Sequence, residues 1–529
     1  MSSFPWLTTL GLVPLVGAAA VAMTPRRSPQ LAKQVALGFS LVTLVLTIAM
    51  CAAFKPDGSR FQFVETHDWI RSFGVQYAVG VDGIALVLIA LVAVLVPVVL
   101  LASWYDADPQ PPEDGAVDAG DPPPARSVKT FFALLLVLET MMIGVFAATD
   151  VFLFYVFFEA MLIPMYFLIG SYGGPQRSYA AVKFLLYSLF GGLLMLAAVI
   201  GLYVASAKQG QGTFAFDKLN ELEFSNSTQI WLFLGFFIAF AIKAPLFPFH
   251  TWLPDAGAEA PVGGAVLLVG ILDKVGTFGF LRYCLPLFPY ATRTLAPYVI
   301  VLCVIGILYG ALLAMGQKDI KRLVSYTSIA HFGFIGLGCF ALTTQAETGA
   351  VLYMVNHGLS TGALFLVVGF LVVRGRSRLV SDYSGIAKVA PVLAGTFFFA
   401  GLSSLALPGL STFISEFLVL LGTFQRYRVA AVFATVGIVL AALYILLVYQ
   451  RTMQGPLSRA HEAMKDLQLR EVVTIAPLLA LMLFLGFYPK PLTDVITPAV
   501  NATMSDVGVT DPAPTQLTET AVLTETGRR

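Results

Sequence analysis

Several ionisable side chains of this chain lie where water should not reach them. Glu139, Glu159, Lys243, Lys274, His331, His357 and Glu416 all fall inside long apolar runs. A charge at the centre of a membrane-spanning helix costs about 2.5–3.5 kcal/mol on insertion scales, so a sequence that carries several of them needs a reason. Taken singly, such a lysine or glutamate reads as a structural pair or as a side chain snorkelling to the interface. A single histidine reads as a hydrogen-bonded core residue. Glu159, Lys274 and Glu416 sit too deep in their runs to snorkel, and two histidines in the company of carboxylates and lysines shift the reading toward proton transfer. Burial disfavours the charged form of each group, and an opposite charge within about 4–6 Å restores it, so moving the partner away releases a proton. One pKa unit is worth about 1.4 kcal/mol and one charge crossing 100 mV about 2.3 kcal/mol, so modest changes in pairing match the work of moving a proton across a membrane. Glu159 with Lys243 is the expected pair, and Glu139 is a secondary candidate.

The elements that must hold these groups are transmembrane helices. Of 529 residues, 57% are hydrophobic and 12% charged, against roughly 25% charged in soluble domains. Apolar stretches of spanning length give about fourteen helices, at 4–23, 34–54, 77–103, 128–148, 150–171, 179–206, 229–250, 262–284, 296–315, 321–342, 347–373, 391–424, 428–452 and 471–488. The first lacks a basic start and is read as a retained helix rather than a leader. Arg26, Arg27, Lys33, Lys318, Lys321, Arg322, Arg374, Arg376 and Arg378 cluster in alternate loops and assign those loops to the cytoplasm, which with an even count puts both termini on the outer face. Two polar segments, 105–127 (acidic and proline-rich) and the tail from 489 to 529, read as a solvated loop and a partly disordered end. The formal charge of +1 carries no basic block for nucleic acid. Cys51, Cys284, Cys303 and Cys339 have no cluster or zinc spacing, no His/Cys/carboxylate set has metal-ligand spacing, and no glycine-rich nucleotide loop or P-loop is present. Energy must therefore reach this chain from outside it.

Two spans are interrupted by proline, at Pro245 and Pro248 and at Pro408–Gly409. Unpaired backbone at such breaks is tolerated only where protein buries it or where it lines a wet path, so broken helices point to an ion route. The polar marks also recur: Glu159 and His331 are 172 residues apart, Lys243 and Glu416 173. The fold expected is all-α and polytopic. Three N-terminal helices (1–104) precede two five-helix units, 128–284 and 296–452, and a last helix follows. An odd number of crossings per unit makes the second an inverted repeat of the first.

Four stretches resemble the antiporter-like subunits of respiratory complex I, a family that includes the Mrp antiporters. They are Tyr77 with Gly80-Val81-Asp82-Gly83-Ile84; Phe157-Phe158-Glu159 with Pro164; Lys243-Ala-Pro245 through Pro248, His250, Trp252-Leu253-Pro254-Asp255-Ala256 to Ala260-Pro261; and Gln317-Lys318-Asp319-Ile320-Lys321-Arg322 through Ser325-Tyr326 to His331. A further stretch, Leu407-Pro408-Gly409 with Phe413 and Glu416-Phe417, resembles the M-type chains, since L-type, N-type and antiporter relatives usually carry lysine where Glu416 stands. The resemblance covers about residues 70 to 490. It implies a proton-translocating subunit of NADH-quinone oxidoreductase with no redox centre or cofactor of its own. FMN, iron-sulfur clusters and quinone would belong to partner subunits, and neighbouring L- and N-type chains and lipids would surround it in a bacterial plasma membrane. It assigns Glu159 and Lys243 as coupling pair, Lys274 and His331 to a central polar axis with His357 beside it, and Glu416 as distal donor. An Mrp-type sodium-proton antiporter subunit, or a membrane subunit of an energy-converting hydrogenase, is the alternative. Two departures stand out. Gly257 replaces a histidine the family often places there, and Asp273 stands where an apolar residue is usual, either facing another helix or tuning Lys274.

Overall fold

The computed structural model describes residues 4–25, 27–108, 127–210 and 212–513. The helices are α1 Trp6–Met23, α2 Pro29–Ala53, α3 Gly83–Ala102, α4 Val128–Ala147, α5 Val151–Tyr172, α6 Arg177–Ala207, α7 Asn226–Lys243, α8 Leu253–Glu259, α9 Val262–Leu287, α10 Pro289–Met315, α11 Ile320–Phe340, α12 Thr344–Gly375, α13 Pro391–Ser404, α14 Ser411–Arg426, α15 Arg428–Met453, α16 Leu469–Phe487 and α17 Lys490–Val507. Among the described residues thirteen helices are long and apolar enough to cross a membrane alone. The shorter α13, continued by α14, supplies the discontinuous span read as twelfth in the sequence. Most of the acidic loop, 109–126, and the tail from 514 lie outside the described residues.

Two of the helices that carry ionisable groups, α9 and α11, are the most enclosed of the spanning helices. Among the spanning windows α9 is buried over its whole length and α11 over 94%, whereas α1, α2, α6 and α15 bury 28–39% and turn apolar side chains such as Val45, Phe190 and Val439 outward. A helix apolar all round belongs in the centre of a bundle or against lipid, and here both cases occur in one chain. Small residues set the closest approaches. Gly310 meets Ala330 between α10 and α11, and Gly349 and Gly422 bring α12 and α14 together.

Three features depart from the sequence reading. Tyr77–Val81, assigned to the start of the third span, is the second strand of an antiparallel hairpin, Gln62–Ile70 with Val75–Val81, turned through Gly74 at φ +66°. The helix begins only after Asp82, whose carboxylate accepts from the Ala85 N–H at 2.9 Å as an N-cap. The second is the tail, which forms helix α17 as far as Val507. Ile496, Ala499, Val500, Thr503, Met504 and Val507 make its buried face, at the three- and four-residue spacing of an amphipathic helix. It lies so close to α3 that any side chain at Gly83 would overlap the Val495 carbonyl. The third concerns the repeat, because the polar residues and the breaks do not share one period. Lys243 is the last residue of α7, before its break, whereas Glu416 is in the second turn of α14, after its break.

Candidate functional site

The first break, from Ala244 to Trp252, is bridged by the Trp252 indole, which donates to the Ile242 carbonyl at 2.9 Å. The second, from Leu405 to Leu410, holds Ala406 at φ +60° and Gly409 at φ +93°, left-handed backbone that is costly for the alanine. Its polar groups are met from both sides: the Thr412 hydroxyl donates to the Ser403 carbonyl, and Asn356 of α12 donates to the Ser411 carbonyl at 2.7 Å. A third distortion lies in α9, where Leu268–Leu272 and Phe280–Cys284 are π-helical turns that flank Asp273 and Lys274. Such turns widen the helix and re-aim the side chains beside them.

Glu159 projects at the bend of α5, where Met161 interrupts the helix. Gly192 of α6 is the space it needs, since any side chain there would overlap its carboxylate. It faces Lys243, and each is the strongest opposite charge acting on the other, with no direct hydrogen bond to the ammonium. Lys243 is 1% exposed, its ammonium has no hydrogen-bond partner, and it rests 5.1 Å from the Phe158 ring centre and 5.7 Å from that of Phe184. Cation–π contact of this kind tolerates a buried ammonium without fixing its position.

Lys243 is faced next by Asp273, fully buried with both carboxylate oxygens unpartnered. The α9 face that carries Asp273 abuts α7, because Gly276, one turn on, touches Phe240 and Ala244. Lys274 points the other way. Its ammonium donates to the Val269 carbonyl, lies 2.6 Å from His357 Nδ1 and stands 5.1 Å over the Phe332 ring. One proton can sit on either side of the Lys274–His357 contact. The His357 ring centre is 5.3 Å from that of His331, which is 5.9 Å from that of Tyr353. His331 is turned to the Ser404 carbonyl at the second break, and the buried Tyr353 and Tyr444 lie within electrostatic reach of Glu416. The structure thus brings the half-buried Glu159 and the buried Lys243, Lys274, His357, His331 and Glu416 into one file. Glu139 stays outside it: its oxygens are fully buried and unpartnered, and no charged group acts on it among the described residues.

Sequence reading missed several charged sites. Arg282 of α9 pairs with Asp82 at 2.8 Å, both nearly inaccessible, under the rings of Phe61 and Phe278. An arginine inside an apolar run was the available signal. Glu347 is buried in the first turn of α12, with Asp511 facing it. At the end where α8 emerges, Asp255 binds Lys183 and Arg322, each at 2.6 Å. Glu259 accepts from Arg378 at 2.9 Å and from the Gln176 N–H at 3.0 Å, Arg378 also reaches Asp319 at 3.3 Å, and Lys321 donates to the Ala260 carbonyl at 2.7 Å. Nearby Asp106 is pushed above the usual carboxylate range by burial, against the pull of Ser103, Arg470 and Lys321. Gly257 lies against Ser325, whose hydroxyl would have to turn aside to admit a side chain there.

A many-helix membrane domain with two discontinuous helices and a charged file between them is the architecture of antiporter-type ion-translocating subunits. The chain belongs to the NADH:quinone oxidoreductase/Mrp antiporter transmembrane family, whose model matches residues 148–441. It is 51% identical to NADH-quinone oxidoreductase subunit M of Mycobacterium tuberculosis over 97% of this chain and 96% of that one. In structure it resembles a chain of respiratory complex I from Thermus thermophilus with bound NADH, with a TM-score of 0.84 and 30% identity over 95% of this chain and 100% of that one. A chain of the Mrp complex from Dietzia sp. shares the fold at a TM-score of 0.80 and 20% identity, over 96% and 100% of the two chains.

Proposed function

We propose that this chain is a proton-translocating subunit in the membrane arm of an NADH-quinone oxidoreductase. Electron transfer and quinone chemistry in partner subunits, which hold the FMN and iron-sulfur clusters, perturb its buried charges and so drive protons along the file. The observation that carries this reading is the run of ionisable groups from the half-buried Glu159 to the buried Glu416, assembled from α5, α7, α9, α11, α12 and α14. Glu159 and Lys243 act as the coupling pair. When they approach, the ammonium is stabilised; when they separate, it surrenders its proton toward Lys274 and His357. Glu416, within electrostatic reach of Tyr353 and Tyr444, is the distal donor. L- and N-type chains are its expected neighbours, and both termini are assigned to the outer face of the plasma membrane.

Glu159→Gln tests the reading, with proton pumping and NADH-quinone reductase activity measured in membranes and assembly checked on a native gel. Assembled complexes that lose coupled activity are the expected result; unchanged activity would sink the relay. A sodium requirement in the same membranes would favour the antiporter alternative.

A further inference from the structure

We propose that Asp273 is a relay carboxylate that carries protons between Lys243 and Lys274, the step for which the file otherwise has no group. The inference rests on the relay reading above and adds to it a residue that reading did not assign. Three observations converge on it. Asp273 is fully buried with both oxygens unpartnered, a state too costly to hold unless a charge answers it. The face of α9 it occupies is the one that Gly276 and Gly279 press against α7 at Phe240 and Ala244, beside Lys243. The π turn at Leu268–Leu272 meanwhile swings Lys274 toward His357, so the two consecutive residues serve opposite neighbours.

The titratable groups that face Asp273 are Lys274 on its own helix and Lys243 on α7. His331 of α11 and His357 of α12 face Lys274 instead. The transfer is a pair of proton exchanges. The Lys243 ammonium protonates the carboxylate, leaving an amine and a carboxylic acid; a turn about χ1 of Asp273 then presents the acid to the neutral Lys274 amine, which takes the proton and restores the carboxylate. One proton moves, no electron does, and no co-reactant is consumed. In its ionised form Asp273 is also the counter-ion of whichever lysine is charged.

The test compares Asp273→Asn, Asp273→Leu and Asp273→Glu in assembled complexes, beside Glu159→Gln in the same membranes. Asn should lower coupled quinone reduction about tenfold, the equivalent of one pKa unit in the charge of a neighbour, and should move the alkaline limb of the pH profile to lower pH, since an ammonium without its counter-ion gives up its proton sooner. Glu should restore most of the rate and the profile. Wild-type coupled activity in Asn or Leu overturns the inference. So does loss of assembly in both, which would make the carboxylate structural, and so does a slow Asn variant with an unmoved pH profile. If Asp273→Asn is normal while Glu159→Gln is dead, the inference fails and the relay stands. If both are normal, the relay itself has failed.

Discussion

The buried file and the charged cluster around α8 use the same residue types in opposite ways. At the cluster every charge is answered: Asp255 by Lys183 and Arg322, Glu259 by Arg378 and a backbone N–H, Lys321 by a carbonyl. In the file, Lys243 has no hydrogen bond, Asp273 has none, and one oxygen of Glu159 has none. A saturated pair is fixed by its geometry and breaking it costs assembly, whereas an unsaturated group next to a movable opposite charge can change its proton with small displacements. The cluster therefore clamps the second half of the broken helix to α6 and α11, and the file, a few turns away, is left free to titrate. What separates the clamp from Glu159, Lys243 and Asp273 is the number of hydrogen bonds around each charge; Lys274, held by Val269 and His357, is the bonded member of the file.

The largest effect that can break this comparison is in the file. Lys243→Ala should abolish coupled quinone reduction and proton pumping, a fall of about a hundredfold if two or more pKa units of pairing are lost, in complexes that still assemble on a native gel. Next comes His357→Gln, which removes the 2.6 Å contact to Lys274 and should slow pumping several-fold with less effect on assembly. The clamp should answer differently. Arg378→Ala strips the buried Glu259 and the half-buried Asp319 of a partner; because Arg378 is itself 31% exposed, the cost is set at about 2 kcal/mol, below that of a fully buried pair. It should lower the yield and melting temperature of the complex while leaving the rate per assembled complex close to normal. A clamp variant that assembles fully and pumps poorly would erase the distinction.

How much of this was legible in the sequence follows from which contacts are local. A charge in an apolar run announces itself, and so do prolines in a span, which is why Glu159, Lys243, Lys274, Glu416 and both broken helices could be read from the chain alone. The clamp could not, although Asp255 and Glu259 stood in a quoted motif, because their partners are 67 to 119 residues away and pairing at that separation has no sequence signal. The direction of Asp273 was hidden for a different reason. A 100° step per residue puts Asp273 and Lys274 on different faces but does not say which faces, and the π turn just before them changes the phase of the helix. Helix α17 was read as tail because threonine and proline diluted its apolar face, and the strand at Tyr77–Val81 merged with the apolar run of α3.

Glu139 gives the smallest effect and the sharpest refinement. It shares with Lys243 and Asp273 the property of being buried without a hydrogen bond, but no opposite charge faces it. If lack of saturation were enough to make a relay group, Glu139→Gln should cripple pumping as Lys243→Ala does. If an unsaturated group works only beside a movable counter-charge, glutamine, with nearly the same shape and no charge, should leave coupled activity within about twofold and change stability by no more than about 1 kcal/mol, the scale of one neutral hydrogen bond. The second outcome follows from the geometry: a proton on Glu139 has no charged neighbour among the described residues to come from or go to. Proton pumping in Glu139→Gln membranes, measured beside Lys243→Ala, separates burial from pairing as the source of function.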